Sequence, residues 1–386
     1  MSAAVLLLAS LEVLVQCDTW DFGGKFDIQT AAGNDQVLEH IAGVAPDVIA
    51  WRVNGGSLQQ FACREEARPK HYPPRDMDLR RISDSRRVNG WLRLAGEPDG
   101  GIDLLKAGME RIAARGWTKG VYMPFEENHF YTCKIGTWNF EHPQYWTRLR
   151  DGTMLMTRCS LAYPEVREHK LRILDEVLAY GPDVVYMEAG RTGTWTVADE
   201  YVEPNVRRWR ARYPGEALPL ANDERWRQLV AEAQYAYFKA VRERLDRTGR
   251  RIRLVFGLYG LDREKDPNWT LKAIDWKRMA RERIFDGIAV AGVFPDWSRP
   301  LESTREIYEQ VRRDAAGRDL YVPVSMYHFF GAGIPDYAAK MKKSKVEATK
   351  DMMALAKAVG AKGVLLECVD YGNYSPEMMA VIREER

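Results

Sequence analysis

The chain has 386 residues, 46% of them apolar, enough to bury a large core as one big domain or two smaller ones. Lys and Arg number 57 against 55 Asp and Glu, with no long basic run, so the concentrated positive charge of a phosphate-binding surface is missing and no nucleic-acid partner is expected. Five cysteines (Cys17, Cys63, Cys133, Cys159 and Cys368) are odd in number and widely spaced, which argues against a disulfide framework and a zinc-finger cluster alike.

Residues 3–9 form a short apolar run like the core of an export signal, but no Lys or Arg precedes them. The run is too short to cross a bilayer and no later stretch is longer, so a soluble protein without a membrane span is expected, export being an open alternative. Strand-like runs then recur at 12–17 (EVLVQC), 47–53 (DVIAWRV), 120–125 (GVYMPF) and 183–187 (DVVYM). Four more stand at 252–258 (IRLVFGL), 287–294 (GIAVAGVF), 320–326 (LYVPVSM) and 363–366 (GVLL). Helical patterns at 35–43, 102–115, 224–247, 304–315 and 344–358 alternate with them. Another helix stops at Gly181-Pro182, just before the fourth run.

Strands alternating with helices pair in parallel through right-handed crossovers. Eight such units predict an α/β protein, a closed (β/α)8 TIM barrel forming a single domain over 1–386. An open doubly wound sheet would carry a Gly-rich phosphate turn after its first strand, and Asp21-Phe22-Gly23-Gly24 is no such fingerprint. Long βα loops at about 55–99, 126–163 and 191–222 are expected to fold over the mouth and shape a substrate cleft, with Arg52, His129 and Trp195 near it.

Polar residues gather at the carboxyl ends of the runs: Asp18, Arg52, Asn54, Glu126, Glu127, Glu188, Arg191, Asp296, His328 and Glu367. Gln16 shares a strand face with Asp18, and Arg52 with Asn54, because side chains alternate. Unpartnered polar groups do not sit deep in packed barrel layers, so these predict one polar site at the mouth. Two facing carboxylates suit glycoside hydrolysis, one protonating the leaving oxygen while the other attacks or activates water. Glu188 is the first candidate, with Glu367 or Asp296 as its partner. Trp20, Trp195, Trp297, Tyr259, Tyr327 and Tyr371 fall at or just past strand ends, where a ring face suits the C–H side of a pyranose. Trp51, inside the second run, is assigned to the core.

The segments Glu141-His142-Pro143-Gln144-Tyr145-Trp146, Arg150-Asp151-Gly152-Thr153 and Leu161-Ala162-Tyr163-Pro164-Glu165-Val166-Arg167 resemble those of glycosyl-hydrolase-like barrel families related to glycoside hydrolase family ten. The resemblance covers residues 141–191. It implies a (β/α)8 barrel acting on a poly- or oligosaccharide without a cofactor. In those families the fourth strand typically ends with an Asp and an Arg; here Glu188 and Arg191 take those places.

Two other readings stand beside this one. The order Glu188, Asp296, His328, Glu367 resembles the divalent-metal set of xylose-isomerase-like barrels, and oxygen ligands with one imidazole suit Mn²⁺ or Mg²⁺ in a sugar isomerase or epimerase. A non-catalytic carbohydrate-binding barrel would keep the aromatic residues and lose the carboxylate pairing.

Overall fold

A computed structural model of the chain describes residues 10–17, 26, 30–55, 58–59, 63–65, 103–124, 137–188, 195–261, 265–291, 293, 300–324, 343–367 and 374–386. Its strands are β1 (Glu12–Cys17), β2 (Val48–Arg52), β3 (Asn54–Gly55), β4 (Leu58–Gln59), β5 (Thr118–Pro124) and β6 (Trp146–Arg148). Then come β7 (Met154–Cys159), β8 (Val184–Glu188), β9 (Arg253–Tyr259), β10 (Gly287–Ala291), β11 (Asp319–Pro323) and β12 (Gly363–Leu366). Eight of them close into a barrel in the order β1-β12-β11-β10-β9-β8-β5-β2, every neighbouring pair parallel. The expected (β/α)8 barrel is therefore the observed fold. The small pairs β3–β4 and β6–β7 are antiparallel hairpins outside it.

The described helices are α1 (Ala31–Ala42), α2 (Leu104–Ala114), α3 (Thr137–Glu141), α4 (Pro164–Leu178), α5 (Glu203–Arg212) and α6 (Glu224–Arg247). They continue with α7 (Pro267–Thr270), α8 (Trp276–Arg281), α9 (Leu301–Asp314), α10 (Lys345–Ala358) and α11 (Pro376–Glu385). Local chemistry sets several starts. The Thr30 hydroxyl accepts from Gly33 N at 3.0 Å, Asp103 accepts from Lys106 N at 2.8 Å, and Ser344 with Glu347 forms a reciprocal capping box. None of the described helices is long and apolar enough to cross a membrane.

Alternation along the strands splits the core into two shells. Leu14, Val48, Ala50, Tyr122, Val184, Tyr186, Val255, Ala289, Tyr321 and Leu365 fill the barrel interior. The other parity, including Val13, Val15, Ile49, Trp51, Val121 and Val185, packs outward against the helices. Trp51 is fully buried, as assigned, and its indole lies against Gly108 of α2, where an added Cβ would come within 2.5 Å of the ring. At the amino-terminal end, Arg253 donates to both Glu12 oxygens at 3.0 Å, and the Tyr321 phenol donates to Glu12 Oε1 at 2.9 Å. That trio closes the barrel floor.

The long connections carry structure of their own. After β8 the chain builds α5 and, with the start of α6, a satellite core around Val197, Tyr201, Trp209 and Trp226. After β2, residues 63–65 do not lie over the mouth. The Arg64 and Glu65 amides donate to the Glu176 carboxylate near the end of α4, and Arg172 pairs with Glu65 at 2.6 Å. Since α4 runs back toward the barrel floor, residues 63–65 lie against the outer wall, and the stretch 66–102, most of the loop expected over the mouth, lies outside the described residues. The carboxylate wins because it satisfies backbone donors that apolar packing would leave bare.

Candidate active site

The interior cluster fixes which residues point inward, and the same parity carried to the carboxyl ends brings Gln16, Arg52, Pro124, Glu188, Gly257, Pro323 and Glu367 to the mouth. Gln16, Glu188, Arg52 and Glu367 are only 1–2% exposed. Glu188 on β8 and Glu367 after β12 lie four strands apart in the ring of eight, on opposite walls.

Glu188 is held from the layer below. The Tyr122 phenol on β5 donates to Glu188 Oε2 at 2.5 Å, within the range of a charge-assisted bond. Tyr122 stacks on Tyr186 with centroids 5.4 Å apart, and the Arg52 guanidinium carbon lies 5.5 Å from the Tyr122 centroid. Gly257, beside Glu188 on β9, keeps this corner open: a Cβ there would meet Tyr186 Oη at 2.7 Å and the Glu188 Cα at 3.1 Å. Behind Glu367, the buried Tyr374 phenol donates to the Val324 carbonyl, and the Glu367 carbonyl lies 3.4 Å from it. One carboxylate is thus fixed by its head and the other by its backbone.

A second polar cluster lies between the β6–β7 hairpin and the segment after β8. Glu200, 1% exposed, accepts from the Ser160 hydroxyl at 2.5 Å and from the Trp195 indole at 3.0 Å. The Arg158 guanidinium stacks 3.6 Å from the Trp195 centroid, and the Lys272 ammonium donates to the Trp195 carbonyl. Burial, helped by the Arg158 charge, brings Lys272 down to about 8, and burial pushes the Asp199 carboxyl up. Trp195 was expected as an open stacking platform. It is 5% exposed and gripped at its ring, its indole N–H and its carbonyl, an arrangement that anchors the chain emerging from β8.

The motifs that carry the family resemblance lie in the same supporting layer. His142 Nδ1 is 2.7 Å from the Trp138 carbonyl, and the Trp146 indole donates to the Asn139 carbonyl at 2.6 Å. Trp138 stacks on His142, Tyr145 and the buried His169. Asp151 accepts from Thr153 N at 2.9 Å in a turn where Gly152 has φ +91, a value that only glycine takes without strain. Arg167 ties α4 to the Leu161 carbonyl at 2.5 Å. These residues set the hairpin beside the mouth.

Of the expected site, Glu188, Glu367 and Arg52 converge on the mouth. Asn54 and Tyr259 are described in backbone only, at the ends of β3 and β9. Asp18, Trp20, Glu126, His129, Arg191, Asp296, Trp297, Tyr327, His328 and Tyr371 lie outside the described residues. Among the described residues no three His, Cys, Asp or Glu side chains are grouped to hold a metal ion. Gln16 and Tyr122 were not singled out as site residues. A glutamine in an otherwise apolar strand was the signal for the first; Tyr122 gave none, reading as another core aromatic. A cavity of about 540 Å³ lies away from this chemistry, on the outer wall between α2 and α4, lined by Lys106, Lys119, Glu176 and Tyr180 among others.

The class these features define is a closed parallel (β/α)8 barrel with two buried carboxylates on opposite walls of its carboxyl-end mouth. No protein-family model matches the sequence, and no curated protein matches it either. Among solved structures, the PgaB (BpsB) glycoside hydrolase domain from Bordetella bronchiseptica is similar with a TM-score of 0.61 at 13% identity, covering 97% of this chain and 98% of that one. Alpha-L-fucosidase isoenzyme 2 from Paenibacillus thiaminolyticus gives 0.59 at 13% identity, with 97% and 49% covered. Beta-galactosidase from the psychrophilic Marinomonas ef1 gives 0.57 at 11% identity, with 92% and 54% covered. The chain thus spans about half the length of the last two. At such identities the likeness is one of fold.

Proposed function

We propose that the protein is a glycoside hydrolase acting on an oligo- or polysaccharide, with Glu188 and Glu367 as its carboxylate pair. The observation that carries this reading is the pair itself: two buried, inward-facing carboxyl groups on opposite walls of one barrel mouth. A sugar bound between them meets a carboxyl group on either side of its glycosidic bond. One protonates the departing oxygen, and the other attacks the anomeric carbon or activates a water. Tyr122 holds Glu188 Oε2 and so fixes the plane of that carboxylate before substrate arrives. Fixing it beforehand matters because a misplacement of about 1 Å costs roughly 10²-fold in rate. Arg52 stands at the mouth end of β2 and would contact the sugar; Asn54 and Tyr259 are further candidates for that role. Asp296 is the rival partner to Glu367.

The reading is tested with Glu188→Gln, Glu367→Gln and Asp296→Asn against a panel of plant and algal oligosaccharides. Each amide keeps the shape of its acid while removing the charge and the transferable proton. Glu188→Gln and the true partner's variant should each lose about 10²–10⁴-fold or more in turnover, and the third should lose far less. Activity should survive EDTA. Full activity in Glu188→Gln would overturn the assignment. Activity lost to chelator, restored by Mn²⁺ or Mg²⁺ and abolished in His328→Ala would replace hydrolysis by metal chemistry.

A further inference from the structure

Among the described mouth residues, Gln16 is buried with its whole carboxamide unmet by the protein. It lies on β1 directly above Leu14 of the interior cluster, level with Ala50 of β2, and is 1% exposed. Neither its Oε1 nor its Nε2 has a hydrogen-bond partner. A carboxamide offers two N–H donors and an acceptor oxygen, and native proteins leave few such groups bare when buried. Leu14 and Ala50 can satisfy none of them. The side chain is therefore held, unpaired, toward the space that Glu188 and Glu367 flank.

We infer that the Gln16 carboxamide is a specificity-determining contact of this site, reserved for two neighbouring hydroxyl groups on the sugar ring bound between Glu188 and Glu367. The inference rests on the glycosidase reading above and adds the group that reads the sugar. Vicinal hydroxyls match the carboxamide, one donating to its oxygen while the other accepts from its nitrogen. A charged residue there would attract ions or water strongly, whereas a neutral amide selects by geometry. Because its partner arrives only with the substrate, a sugar lacking one hydroxyl leaves the buried amide unpaired and is rejected. The same logic sets a stability signature. A buried polar group with no partner contributes nothing to folding, so replacing it by an apolar side chain of similar length should not weaken the protein.

The test uses the full chain, with Gln16→Met and Gln16→Leu compared by thermal melting and by calorimetric titration. The probes are 1-deoxynojirimycin, its galacto and L-fuco isomers, and mono-deoxy analogues of whichever binds best. These cationic polyhydroxylated rings suit a carboxylate pair. Gln16→Met should melt at or above the unmodified protein and bind the best probe at least about tenfold more weakly. One mono-deoxy analogue should lose a similar factor on the unmodified protein and little further on Gln16→Met, marking the hydroxyl that Gln16 reads. Equal probe affinity in the unmodified protein and Gln16→Met overturns the inference alone. So does a clear fall in melting temperature, or failure to fold, in both variants, since either assigns the amide a structural job. If no probe binds the unmodified protein, the inference falls together with the glycosidase reading.

Discussion

Replacing Tyr122 by Phe removes one oxygen from the middle of the barrel and leaves the ring stacked on Tyr186. The bond it deletes is 2.5 Å long, buried, and made to a carboxylate. Hydrogen bonds to charged groups are worth about 1.5–3 kcal/mol net, and leaving Glu188 Oε2 without this donor places the loss in that range. Unfolding entropy of about 2.1 cal/mol/K per residue over 386 residues converts it into a fall of roughly 2–4 °C in melting temperature. A double-mutant cycle isolates the pair: Tyr122→Phe and Glu188→Gln should together cost less than the sum of their separate effects, by about 1–2 kcal/mol in urea unfolding. Where a substrate is in hand, Tyr122→Phe should cut turnover by about 10–100-fold, because the carboxylate loses its fixed plane. A variant within about 0.5 kcal/mol of the unmodified protein, strictly additive with Glu188→Gln, would show that this bond positions nothing.

Two further outcomes follow from the same packing. Gly257→Ala drives a Cβ to 2.7 Å from Tyr186 Oη and 3.1 Å from the Glu188 backbone, so it should destabilise by about 1–3 kcal/mol and lower turnover, read by urea unfolding and initial rates. Wild-type stability in that variant would mean that β8 and β9 separate freely. For Lys272, burial first and then the Arg158 charge bring the folded-state ammonium to about 8, below its ordinary value of 10.5. Between those values the unfolded chain holds the extra proton, so this group makes stability rise with pH there and adds no slope below. The stability of the unmodified protein minus that of Lys272→Met should therefore climb from about pH 8 to 10.5; a flat difference would refute the assignment.

Much of the barrel was legible because its strands are buried on both faces. Such strands read as continuous apolar runs between Gly, Pro and Asp, and β1 and β12 fall at the expected bounds. The ends of the runs were harder. The sixth was expected to reach residue 294; β10 is described as Gly287–Ala291, and 292 and 294 lie outside the described residues. The hairpin β6–β7 and helix α5 were taken for loop. Trp209 of α5 packs with Val197, Tyr201 and Trp226 in a satellite core whose members are spread along the sequence, so no local period announces it.

The site was legible only where a polar residue ends an apolar run, as at Glu188 and Glu367. Tyr122 escaped because its partner is 66 residues away and only the β5–β8 pairing brings them together. Trp195 was visible as an aromatic at a strand end, but the cation that covers its ring comes from β7. The closed ring order adds what no single strand can. Glu367, Gln16 and Arg52 stand on three consecutive strands, β12, β1 and β2, and form one polar arc. Glu188 stands across from it, flanked on β5 by Pro124 and on β9 by Gly257, neither of which carries a side-chain donor. From the layer beneath, the Tyr122 phenol donates to its carboxylate. A sugar ring laid across this mouth would turn its hydroxyls toward the arc and its glycosidic bond toward Glu188. If the two acids act as proposed, moving the lone carboxylate into the arc by exchanging Gln16 with Glu188 would place both acids on one side of the bond and abolish turnover, measured as initial rates on a protein whose melting temperature is unchanged.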